Sequence, residues 1–114
     1  MKVKEIVRIL DARILCGEDM QEYTVEKAFA SDLMSDVLML ADDNVLLITG
    51  LVNMQTIRTA EMSDILCVVL ARNKKASREM IDLARDGGII LIECRYSVYQ
   101  TCGLLYREGL KPIF

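Results

Sequence analysis

Three stretches decide the fold: Val45-Leu46-Leu47-Ile48, closed by Thr49-Gly50; Ile65-Leu66-Cys67-Val68-Val69-Leu70; and Ile89-Ile90-Leu91-Ile92. Each is apolar at consecutive positions. A strand with one wet face alternates apolar and polar residues, so an unbroken apolar run describes a strand buried on both faces. Helical spacing fills the intervals. Met54, Ile57 and Met62 mark one helix; Met80, Ile81 and Ala84 mark a second over Ser77 to Ala84, ended by Gly87-Gly88. Ser97 to Tyr106 reads as the last helix, with Gly109 as its breaker and Pro112 beyond. Strands apolar on both faces and joined by amphipathic helices predict an α/β fold, a mostly parallel sheet with helices on both faces.

Toward the N-terminus the pattern is looser. Val3, Ile6, Val7 and Leu10 share one helix face. Ala12 to Cys16, closed by Gly17, reads as a short strand, and Thr24 to Ala30 as another. Ser31 or Asp32 is placed to cap a helix running through Leu33, Val37 and Leu40. This half is expected to add mixed or antiparallel strands. No linker, repeat or low-complexity segment divides the chain, so residues 1–114 are read as a single domain.

Hydrophobic residues make up 53% and charged residues 27%, which excludes a disordered tail and a membrane-embedded chain. The net charge of −3 runs against nucleic-acid binding, whose affinity comes mostly from neutralised phosphates. With no histidine, Ser-His-Asp triads, Cys-His dyads and histidine metal sites are excluded. Cys16, Cys67, Cys94 and Cys102 contain no CxxC pair, and the chain is too rich in core residues for a disulfide scaffold. Cys67 reads as a small buried hydrophobe. A nucleophilic Cys94 would need a base that nothing supplies. The start of the chain leads into no signal-type apolar region, and the longest apolar run, Ile65 to Ala71, is too short to span a membrane. The expected location is the cytoplasm, away from the membrane.

In an open parallel sheet, ligands bind beyond the carboxyl ends of the strands. Three stretches fall there: Thr49, Gly50 and Asn53; Arg72, Lys74, Lys75 and Ser77; and Cys94, Arg95 and Ser97. Cations gathered around helix N-termini are a means of holding a carboxylate or phosphate, and they are equally compatible with a solvated charge run. The candidate ligand-binding set is Thr49, Gly50, Asn53, Arg72, Lys74, Arg95 and Ser97. Thr49 and Ser97 read alternatively as turn or cap residues, and Gly50 as a turn glycine. Neither GxGxxG nor GxxxxGK[ST] is present. Asp32 reads as a cap and Asp36 as solvated, and no metal or cofactor is implied. Met34, Met39, Met54, Met62 and Met80 fall on expected helices and read as core or as a dimer face.

The segments Val3-Lys4-Glu5-Ile6-Val7 through Leu10-Asp11-Ala12 and Gly17, Ser31-Asp32-Leu33-Met34-Ser35-Asp36-Val37-Leu38, Leu46-Leu47-Ile48-Thr49-Gly50, and Ile90-Leu91-Ile92 with Tyr96-Ser97-Val98-Tyr99-Gln100-Thr101 resemble the DRTGG domain family over nearly the whole chain. The string that names the family is absent: after Ile48-Thr49-Gly50 the chain continues Leu51-Val52-Asn53-Met54. The resemblance implies a fold related to the N-terminal domain of HPr kinase/phosphorylase. It also implies an accessory role, since such domains occur inside bacterial phosphotransacetylases and between CBS domains of regulated pyrophosphatases. The expected function is a non-catalytic bacterial regulatory or assembly module that self-associates as a homodimer. The alternative is a sensor of a small anion, a nucleotide or acyl phosphate, at the rim of the parallel strands. A kinase or a metabolic enzyme is the expected kind of protein partner.

Overall fold

The computed structural model describes all residues, Met1–Phe114. The elements in chain order are α1 (Val3–Leu10), β1 (Arg13–Cys16), β2 (Lys27–Ala30), α2 (Met34–Val37), β3 (Val45–Thr49), α3 (Met54–Met62), β4 (Cys67–Leu70), α4 (Arg78–Asp86), β5 (Ile90–Glu93), α5 (Val98–Arg107) and β6 (Lys111–Pro112). A single 3₁₀ turn, Glu18–Met20, follows β1. The six strands form one sheet in the order β1-β5-β4-β3-β2-β6. β1 runs antiparallel to β5, and every other pair is parallel.

All residues of β3, β4 and β5 are buried. Their side chains alternate between two apolar layers. Leu46, Ile48, Cys67, Val69, Ile90 and Ile92 meet α1 and α5 on one face. Val45, Leu47, Val68, Leu70 and Leu91 meet α2, α3 and α4 on the other. Both layers need apolar side chains, so the three runs lack the polar alternation of a half-exposed strand. None of the helices is long and apolar enough to cross a membrane.

The structure corrects the sequence reading in four places. The second strand begins at Lys27 rather than Thr24. The helix expected from Ser31 or Asp32 to Leu40 is a single turn, Met34–Val37, with Leu33 at the cap position and no side-chain cap. Asp32 is drawn elsewhere, as described below. Lys111–Pro112 forms a sixth strand beside β2, where a chain end after the helix breaker was expected. Proline is tolerated because β6 is an edge strand. The methionines divide: Met34 and Met80 are core, whereas Met39 and Met62 are exposed.

This division gives a test. Leu47→Ala, in a fully buried site on a central strand, should cost about 2–5 kcal/mol in urea denaturation. Met39→Ala, at a side chain 83% exposed, should change stability by less than about 0.5 kcal/mol.

Candidate functional site

The carboxyl ends of β2 through β5 share one edge of the sheet. The N-termini of α3, α4 and α5 open onto this edge, each fixed by a side-chain cap. Asn53 Oδ1 accepts from Thr56 N–H, Ser77 Oγ from Met80 N–H, and Ser97 Oγ from Gln100 N–H, all at 3.1–3.2 Å. Three partly positive helix ends therefore face one rim.

Two groups of side chains stand on it. The first joins β2, β3 and β4. Asp32 Oδ1 accepts from the Thr49 hydroxyl at 2.8 Å and from Gly50 N–H at 2.7 Å. Thr49 Oγ1 in turn accepts from Leu51 N–H at 3.1 Å. The Gly50 N–H, followed by the Thr49 hydroxyl and the charges of Arg72 and Lys74, holds the Asp32 carboxyl below the ordinary aspartate range against the opposing effect of partial burial. Arg72 lies over Gly50: a Cβ built there would come 2.5 Å from Arg72 Cδ. Any larger residue at position 50 would push the Arg72 side chain aside. Arg72 and Asn73 both adopt left-handed backbone, with φ of 71° and 55°. This bend lets Arg72 N–H donate to Tyr96 O at 2.6 Å and Asn73 N–H to Cys94 O at 3.0 Å, tying the end of β4 to the loop after β5.

The second group surrounds a cavity of about 220 Å³ beyond β1, β4 and β5. Arg13, Lys74, Lys75 and Arg95 face Asp11 and Glu93 there, with Asn73 between them. Four cations against two carboxylates leave a surplus of two positive charges. Glu93 is buried, and its carboxylate meets Arg13 at 3.1 Å and Lys75 at 3.6 Å. Arg95 pairs with Asp11 at 3.2 Å and lies 5.1 Å from the centre of the Tyr96 ring. Its bond to the Tyr96 hydroxyl, and then the charge of Asp11, raise its pKa further. Lys74 has no carboxylate within ion-pair distance. No three His, Cys, Asp or Glu side chains converge as metal ligands.

The seven residues singled out from sequence thus separate. Thr49 and Gly50 form the clamp on Asp32, and Arg72 lies over Gly50. Lys74 and Arg95 line the cavity. Asn53 and Ser97 cap helices with their side-chain oxygens. The sequence reading missed Asp11, Arg13 and Glu93. Glu93 carried a signal, a charge ending an apolar run at the carboxyl end of a strand. Asp11 and Arg13 carried none, because they reach the site only through the antiparallel register that places Arg13 opposite Glu93.

Of the four thiols, only Cys94 lines this cavity. Cys94 lies 3.4 Å from the Thr101 hydroxyl and is buried. Burial pushes the Cys67 thiol up to about 12 and raises those of Cys16 and Cys102.

Fold and rim define an open α/β domain with an ionic edge beyond its parallel strands. Its sequence matches the DRTGG domain over residues 5–107, and the chain belongs to that family. Among solved structures it is similar to the CBS and DRTGG domains of the regulatory region of Clostridium perfringens pyrophosphatase, complexed with the activator diadenosine tetraphosphate. The TM-score is 0.76 at 14% identity, covering 91% of this chain. The present chain spans 45% of that one. No curated protein matches the sequence.

The Asp32 clamp is open to test. Asp32→Ala leaves the Gly50 N–H and the buried Thr49 hydroxyl without their acceptor and should cost about 1–2 kcal/mol. Asp32→Asn keeps an acceptor and isolates the charge. Because the folded-state pKa is lowered, the wild-type advantage over Asp32→Asn should be constant above about pH 5. It should shrink as the pH falls from about 4 through the lowered value, in parallel urea titrations.

Proposed function

We propose that this chain is a non-catalytic regulatory module whose cationic rim receives a small phosphorylated anion. The observation that carries the reading is the cavity of about 220 Å³ with its surplus of positive charge, lined by the loops that lead into the capped N-termini of α4 and α5. Arg95, held by Asp11 and Tyr96, and the unpaired Lys74 are the principal contacts. The complex of the structural neighbour with a dinucleoside tetraphosphate supports the same ligand chemistry. Glu93 is a built-in counter-charge: it neutralises Arg13 and Lys75 when the cavity is empty and competes with an entering anion.

Self-association is the second reading. It is favoured by Tyr99 and Tyr106, exposed on one helix at 89% and 67%. A module that binds an anion and forms a homodimer could pass the signal to a partner such as a kinase or a metabolic enzyme. The four free thiols suit a reducing, cytoplasmic setting.

Native mass spectrometry and calorimetry with acetyl phosphate, ATP and diadenosine tetraphosphate test the rim. Lys74→Ala and Arg95→Ala should each weaken the captured anion by roughly tenfold or more, the scale of a charge-assisted hydrogen bond. Glu93→Gln should tighten it, because the competing negative charge is removed. Equal affinity in all three variants would overturn the site.

A further inference from the structure

We infer that the second copy in this homodimer docks through α5, each copy's α5 lying antiparallel to the other's in an open groove beside that helix. The inference rests on the self-association reading and gives it a location.

A count of layers points to the groove. Three helices cover one face of the sheet; the other carries α1, α5 and the segment before β2 with Met20, Tyr23 and Val25. Six strands about 4.8 Å apart make a sheet roughly 29 Å wide, whereas a helix covers about 10 Å. Two helices and this segment leave part of the face uncovered. The gap lies beside α5 as a cavity of about 380 Å³. Its floor includes Ala28, Ala30 and Ile48, and its wall includes Tyr99, Gly103 and Tyr106. Small floor residues deepen it.

Gly103 is the second observation. It sits inside α5, where glycine weakens a helix relative to alanine. Nothing in the folded chain requires it, since a Cβ at this position would meet no atom within 4 Å. The space it keeps is on the outside of the molecule. A helix backbone approaching α5 from the groove would use it.

The occupant that fits is another α5. An antiparallel pair centred between Cys102 and Gly103 sets Tyr99 against the second copy's Tyr106. The same register sets Cys102 against its Gly103. The patch is thus self-complementary, as a two-fold interface requires. From Val98 through Tyr106 the helix carries no charge, so two copies meet without like-charge repulsion. Tyr99 and Tyr106 are 89% and 67% exposed, so the four tyrosines of two copies can bury on the order of 500–800 Å², and the groove floor supplies the remainder of the ≈1,000 Å² of a specific interface. The neighbouring edge strand offers no competing route. Ile113 N–H points inward to Ala28 O, so Pro112, one residue earlier, faces outward with no N–H to donate.

The test combines light scattering at high micromolar concentration with thiol cross-linking. A short bismaleimide spans the roughly 8–10 Å between packed helix axes. Cys102 is the one thiol that is not buried, so the proposal expects a dimer joined Cys102 to Cys102. Gly103→Leu and Tyr106→Glu should each raise the dimer Kd by roughly tenfold or more. Circular dichroism of the diluted variants should show unchanged helix content. A wild-type dimer with no Cys102 cross-link and no response to either variant would overturn the groove and leave self-association standing. A wild-type monomer at the highest concentration would overturn both.

Discussion

Between Val45 and Glu93 the chain makes three adjacent parallel strands with no solvent face. Parallel strands cannot be joined by a tight hairpin, so each connection must cross over the sheet, here as α3 and α4. Burial on both faces then requires helices on both faces. The remaining elements follow from that demand. α1 and α5 cover most of one layer, and α2 completes the other. β1 and β2 flank the buried trio, and β6 adds a short outer edge to β2.

The same constraint creates the candidate edge. Parallel strands end together, and the helices that follow begin together. Backbone groups at these ends cannot all be satisfied by the sheet. Asp32 satisfies Gly50, the left-handed bend at Arg72 and Asn73 links the end of β4 to the loop after β5, and three side-chain caps occupy the helix starts. What remains is charge. Arg13 and Lys75 pair with Glu93 and Arg95 with Asp11, while Lys74 stands beside them with no carboxylate partner. Such an arrangement costs self-repulsion when empty, and Glu93 offsets part of it.

The central architecture was legible because its signal is local: an unbroken apolar run can be read without knowing its neighbours. Ser97 precedes helical spacing and was read as a cap or turn residue as well as a ligand contact, whereas Asn53 was grouped only with ligand contacts and Ser77 marked only a helix start, and both prove to be caps. The short α2 was not legible, because the periodicity through Leu40 continues after the backbone has left the helix and Asp32 prefers the Gly50 N–H over a cap. The cavity was half legible. Lys74 and Arg95 follow parallel strands, but Asp11 and Arg13 arrive through an antiparallel register that no local pattern encodes. The groove beside α5 depends on how many helices lie on each face, and a sequence period does not count them.

The central claim, a regulatory domain that receives a phosphorylated anion at its rim, is tested most directly by mapping tripolyphosphate onto the isotope-labelled protein by NMR. The account predicts saturable amide shifts at Asn73, Lys74 and Lys75, around Arg95, and in the first turns of α4 and α5. Shifts confined to the α5 groove, or no saturable shifts at all, would contradict it.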